Sequence, residues 1–140
     1  MKYPTLILVL SLFVSVNAQQ LEKHLWKNRV LLVISENETS DLLMRQLELL
    51  DKPKQLKERK LIIYQIHPKK HKVLNKDKSD WVKSSGLFDE YNAEGVEFKI
   101  VLIGLDGGIK LKQNDNVLTS EILFSTIDRM PMRQRELRDH

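Results

Sequence analysis

The stretch from Phe98 to Lys112, FKIVLIGLDGGIKLK, decides the fold. Ile100 to Ile103 is unbroken apolar sequence, the pattern of a strand covered on both faces. Ile109-Lys110-Leu111-Lys112 alternates instead, which predicts a strand with one face in water and lysines guarding an edge. Between them, Asp106-Gly107 predicts a tight hairpin turn with positive φ at both turn positions. A buried strand returning as a shorter edge strand is therefore the expected centre of the molecule.

Upstream, Val30-Leu31-Leu32-Val33-Ile34-Ser35 is again apolar on both faces and Leu61 to Ile66 is a second β-rich run. Between these two, a helix from about Asp41 to Leu50 places Leu43, Leu47 and Leu50 on one stripe. A strand, a helix and a strand in succession make a right-handed parallel unit the default. His67-Pro68 ends the second strand, and a long polar connection is expected from Lys69 to Asp80. Trp81, Leu87, Phe88 and Tyr91 anchor an irregular stretch or short helix, and Trp26 reads as a core anchor ahead of the first strand. Downstream, Thr119 or Ser120 caps a helix with Ile122, Leu123, Ile127 and Met130 facing inward, and Pro131 stops it or closely follows its end. The sum is an α/β fold: a four-stranded mixed sheet with helices on both faces. With the first strand between the second and third, that is the thioredoxin arrangement; a related open α/β sheet is the competitor.

The N-terminus carries Lys2, an apolar run from Leu6 to Val16, and Val16-Asn17-Ala18 before Gln19-Gln20. A charged start, an apolar centre of this length and small residues at −3 and −1 predict a signal peptide over residues 1–18, too short to span a bilayer. The expectation is an exported protein, periplasmic or secreted, with one domain over 19–140 and no transmembrane segment after cleavage. The absence of cysteine excludes disulfides, thiol catalysis and thiolate metal sites. Formal net charge is +4, too mild to imply a specific nucleic-acid partner.

That charge is unevenly spread. From Lys52 to Lys78 ten Lys/Arg face two acids, and Lys69, Lys70 and Lys72 fit a polyanion-binding pattern against the alternative of ordinary solvated lysines. Arg129, Arg133 and Arg135 offer flat forks for carboxylate or phosphate; the competing reading has Arg129 and Arg133 pairing with Asp128, Glu136 or Asp106 to pin the tail onto the sheet. Candidate binding residues are thus Lys69, Lys70, Lys72, Asp106, Arg129, Arg133 and Arg135. Aromatics are not interleaved with the basic runs, which argues against single-stranded nucleic acid. The four histidines have no metal spacing, and neither a metal nor a cofactor is expected. Capping accounts for Thr39 and Ser40 as helix-start residues, and His67 reads as an exposed loop histidine rather than a base. No catalytic residue is assigned.

Two motifs carry a resemblance. Phe98-Lys99-Ile100-Val101-Leu102-Ile103-Gly104 with Asp106-Gly107-Gly108-Ile109-Lys110-Leu111, and Ile127-Asp128-Arg129-Met130-Pro131-Met132-Arg133 with Glu136, resemble the signature of a small exported domain of unknown function. It is called the DUDES domain, and occurs alone in bacterial proteins and within vertebrate extracellular-matrix and sushi-repeat proteins. The resemblance covers about Leu21 to Arg138 and implies a thioredoxin-like fold with no established enzymatic activity. Leu105 stands where a lysine is expected and Gln134 where a further arginine is common, so no ligand role is carried to either. The place of the redox pair in such a fold is held here by Glu36-Asn37-Glu38-Thr39-Ser40, where thiol exchange is impossible. The expectation is a non-catalytic exported binding module for a protein or an anionic envelope or matrix component. The rival is an enzyme with a non-thiol site, a hydrolase or a peroxide-related activity.

Overall fold

The computed structural model describes residues 20–83 and 86–140; the expected leader, residues 1–18, lies outside them. The strands are β1 (Arg29–Ser35), β2 (Leu61–His67), β3 (Lys70–Val73), β4 (Val82–Lys83), β5 (Phe98–Ile103) and β6 (Ile109–Asn114). The helices are α1 (Asp41–Leu49), α2 (Pro53–Glu58), α3 (Gly86–Tyr91), α4 (Ser120–Asp128) and α5 (Pro131–Arg138). All six strands form one mixed sheet in the order β4-β3-β2-β1-β5-β6. β1 is parallel to β2 and antiparallel to β5, and β5 is antiparallel to β6.

The apolar runs sit where their pattern sends them. Every residue of β1 and β5 is buried, because each strand has a neighbour on both sides and a helical layer on both faces. On one face Leu31, Val33, Ile63, Ile100 and Leu102 pack against Leu43 of α1, Leu56 of α2 and Leu123 and Ile127 of α4. On the other, Val30, Leu32, Ile34, Tyr64, Ile66 and Val101 pack against Leu87 of α3, with Leu21, Phe88 and Tyr91 beside them. Ser40 caps α1 by accepting from the Leu43 amide, and Thr119 caps α4 by accepting from the Ile122 amide. Among the described residues no helix is long and apolar enough to cross a membrane.

Several expectations are corrected. The sheet has six strands, not four. The stretch after His67 is no long polar connection: Pro68-Lys69 is a tight turn, and β3 pairs back onto β2 with Ile66 opposite His71. β4 then extends the same edge. The central hairpin turns through three residues, Leu105, Asp106 and Gly107, closed by the Gly104 amide donating to Gly108 O and the Gly107 amide donating to Gly104 O. Only Gly107 has positive φ (+81°), as in a type I turn followed by a left-handed residue. Leu105, the first of the three, is buried and lines a cavity with Arg29 and Met130. Trp26 is 67% exposed, its left-handed backbone (φ +63°) turning the side chain outward as the chain enters β1. Ile122 also points to solvent rather than inward.

Candidate functional site

The carboxyl ends of β1 and β2 are where open α/β sheets most often place ligands. His67 ends β2 there, but it is buried, not a solvent-exposed loop residue. Strand β3 and Trp81 cover it, with ring centroids of His67 and Trp81 5.6 Å apart. Its Nδ1 donates to Ser35 O at 2.7 Å, since a carbonyl can only accept, and Gln65 Nε2 lies 2.9 Å from its Nε2. With both ring nitrogens engaged, His67 is a structural tie between β1 and β2. Ser35 Oγ is likewise committed, donating to Asn37 O at 2.6 Å.

Beside this end lies a basic sheet edge. The β3–β4 register sets Lys70 directly opposite Lys83, and strand alternation puts Lys72 on the same face. Trp81, 41% exposed, stands among them. Lys70 Nζ sits 4.4 Å and Lys72 Nζ 5.9 Å from its ring centroid, both within cation–π reach. Lys69 is exposed at the turn just before. Glu38 makes an ion pair with Lys70, whose hydrogen bond holds the Glu38 carboxyl below the usual carboxylate range. So an aromatic does lie between the lysines, in space rather than in sequence. Trp81 lies nine residues beyond Lys72, and only the β3–β4 pairing brings it back.

The C-terminal arginines separate. Arg129 is exposed at the end of α4, its Nε donating to Ser125 O. Arg135 is exposed on α5. Arg133 is buried, with Nε 3.1 Å from Asp128 Oδ1 and Nη1 donating to Glu58 O and to Glu136 Oε2. α4 ends at Asp128 with Arg129 as its cap, and Pro131 starts the next helix after Met130, so Arg129 and Arg133 do not share a helix face. Arg133 pins the tail as the pairing alternative expects; Arg129 pairs with no acid. Asp106 is occupied by its own turn: the Gly108 amide, then Lys110 at 3.0 Å, hold its carboxyl below the ordinary range. The structure thus groups the β3 lysines around Trp81 and keeps the arginines at the opposite ends of the strands.

Two arginines that sequence reasoning passed over complete that second group. Arg29, the first residue of β1, is fully buried, and its Nη1 donates to Arg59 O at 2.9 Å and to both Glu136 oxygens at 3.3 Å. Burial pushes the Arg29 guanidinium down from its ordinary value, and Glu136 opposes that shift. Arg59 makes a two-point pair with Asp128 at 3.0 and 2.8 Å and lies over the Phe124 ring. A charged residue opening an otherwise apolar strand was the one available signal. On the far face Lys99, also buried, pairs with Glu94 at 2.9 Å. Among the described residues no group of three or more metal-ligating side chains stands together.

The family model for a domain of unknown function (DUF4174) matches residues 20–136, nearly the whole described chain. The protein belongs to this family. The match runs from the turn before β1 to Glu136, so the family unit includes both the basic edge and the arginine cluster. No curated protein and no solved structure matches the chain.

Proposed function

We propose that this DUF4174 protein is an exported, non-catalytic binding module of thioredoxin-like fold, of the kind the DUDES resemblance implies. Its β3–β4 edge takes an anionic polysaccharide of the envelope or matrix. The thioredoxin-like reading is supported by the inner strand order β2-β1-β5-β6, with β1 and β2 parallel, β5 antiparallel, and helices on both faces. β3 and β4 are additions to that plan on one edge.

One observation carries the binding reading: Trp81 flanked by Lys70 and Lys72, with Lys83 across the strand pair. Like charges set directly opposite each other in a sheet are unfavourable without a counter-charge, which Glu38 supplies to Lys70. The exposed part of the indole offers apolar contact to a sugar ring, and the flanking ammonium groups reach sulfate or carboxylate substituents. The lysines are strongly hydrated point charges, which suits an extended polyanion better than one bidentate group. The enzyme alternative is weaker. His67 and Ser35 are both engaged, the cavity shared by Arg29 and Asp106 is lined by no hydroxyl, thiol or imidazole, and in the neighbouring cavity that Asp106 also borders His24 is tied to Tyr64 and Asn28. Asp106, held ionised by its turn, is a poor proton acceptor.

The test is retention on heparin-agarose against a cation exchanger of equal charge density. Trp81→Ala should lower the eluting salt concentration on heparin while leaving the exchanger unchanged. Neutralising Lys69, Lys70 and Lys72 together should lower both. Equal elution of the native protein and Trp81→Ala on heparin removes the edge as a specific site.

A further inference from the structure

The arginine cluster holds an imbalance that the binding reading does not use. Three guanidinium groups, Arg29, Arg59 and Arg133, share two partly buried carboxylates, Asp128 and Glu136, while the exposed Glu58 stands 3.8 Å from Arg59 only. Lys60 Nζ, 3.9 Å from Glu136, adds to the positive side. Arg29 is the member left short. Its Nη1 makes all its bonds, while Nε and Nη2, both buried, bond to no protein atom. An unmatched buried donor on a charged group is costly, and two on one side chain are more so.

Those two atoms are not arbitrary. Nε–H and Nη2–H lie side by side along one edge of the planar guanidinium and point the same way, the edge that grips a carboxylate or phosphate through two parallel hydrogen bonds. Arg29 is among the residues bordering a cavity of about 220 Å³, with Leu105, Lys110, Met130, Pro131 and Met132, while Nε and Nη2 themselves are covered. A water's share of liquid volume is about 30 Å³, so the space suits a small oxyanion with a little hydration. Met130 and Pro131 begin α5, an eight-residue helix with no side-chain cap, so its partial positive charge faces the same region. Asp106 also borders the cavity, but its carboxylate is satisfied by Gly108 and Lys110. Met130 and Met132, unbranched and adaptable, also line the cavity.

We propose that this cavity is a binding site for a small oxyanion, a carboxylate or a phosphate, gripped by the free Nε–Nη2 edge of Arg29 at the start of α5. The site is separate from the β3–β4 edge and stands or falls independently of it. Glu136 and Asp128 position the arginine through Nη1 and through Arg133; they are not ligands. The two sources of such a group, a small organic acid and inorganic phosphate, differ in shape: a flat carboxylate fills the fork alone, whereas a tetrahedral phosphate also presents oxygens to Lys110.

The test is thermal unfolding of the purified protein with sodium acetate, or with inorganic phosphate, against sodium chloride at matched ionic strength. A saturable rise in Tm of about 4 °C at tenfold excess over Kd is expected with at least one of the two anions. Arg29→Lys, which keeps the charge and removes the fork, should abolish it. A rise with phosphate that Lys110→Gln weakens assigns the phosphate form; a rise with acetate that Lys110→Gln leaves intact assigns the carboxylate form. A Tm that follows ionic strength alone, or the same response in Arg29→Lys, overturns the proposal. Should Arg29→Lys fail to fold, the ¹⁵N resonance of Arg29 Nε in the native protein decides. Its saturable displacement by the anion supports the site, and an unmoved signal rejects it.

Discussion

Arg29 Nη1 and Glu136 Oε1 are 3.3 Å apart although 107 residues separate them in the chain. The contact ties the first residue of the first strand to the last helix. Because Arg29 is fully buried, removing Glu136 would leave an unpaired interior charge, a change that typically costs about 3–5 kcal/mol. Glu136→Ala is therefore expected to lower the urea midpoint strongly, and Glu136→Gln, which keeps one acceptor, to lower it less. Equal midpoints for Glu136→Ala and the native protein would remove this tie from the account.

Arg133 and Arg129 should differ sharply. Arg133→Ala strips partners from Asp128, Glu136 and Glu58 O inside the cluster, whereas Arg129→Ala removes one exposed hydrogen bond. The expected losses are about 3 kcal/mol and under about 0.5 kcal/mol. Replacing exposed Lys69 should resemble Arg129. Circular dichroism melts of the three variants would rank them, and comparable losses for Arg133 and Arg129 would contradict the burial difference.

Gln46 carries a quieter constraint. Buried on α1, its side-chain amide donates to Leu118 O at 2.9 Å and accepts from Leu118 N at 2.7 Å, matching both backbone groups of a residue ahead of α4. Gln46→Leu keeps volume but leaves that buried amide and carbonyl unmatched, at a cost of about 1–3 kcal/mol by denaturant unfolding. A neutral Gln46→Leu would show that water satisfies them.

Acid should act in two stages. Burial pushes the imidazoles of His24 and His71 below their ordinary value of 6.5, with the charge of Lys23 acting the same way on both and Lys76 on His24. His24 is also held at 2.7 Å by Tyr64, whose own hydroxyl burial pushes up to about 12. Between 6.5 and the lowered folded values the unfolded chain binds more protons, so stability is full above 6.5 and falls below it. For Asp128, burial pushes upward but the Arg59 and Arg133 hydrogen bonds outweigh it. Its contribution is present above its ordinary 3.8 and is lost as pH falls through the lower folded value. Tm measured from pH 7.5 to 3 should therefore decline first below about 6.5. His71→Gln should flatten that first decline and leave the later one.

Gly107 should resist substitution more than Gly95. Both have positive φ, but a Cβ on Gly107 would come within 2.7 Å of Leu25 Cδ2, whereas one on Gly95 meets nothing within 4 Å. Gly107→Ala is expected to cost about 1 kcal/mol more than Gly95→Ala in chemical unfolding. Equal costs would mean that Leu25 moves aside freely.

The sequence alone determined the three inner strands, the capped helices and the absence of thiol chemistry, and it left the place of β1 between β2 and β5 as one of two arrangements. Apolar runs, alternation and caps are local signals, and burial on both faces is written directly in an unbroken run such as Val30 to Ile34. Tertiary structure decided the rest. The edge strands β3 and β4 are short and polar, so their pairing rests on a neighbour rather than on their own pattern, and only that pairing sets Trp81 among the lysines. Likewise Arg29, Arg59, Asp128, Arg133 and Glu136 are ordinary charged residues in one dimension. They become a cluster only when the last helix closes over the start of the first strand, because interior charge is tolerated only where distant partners meet it.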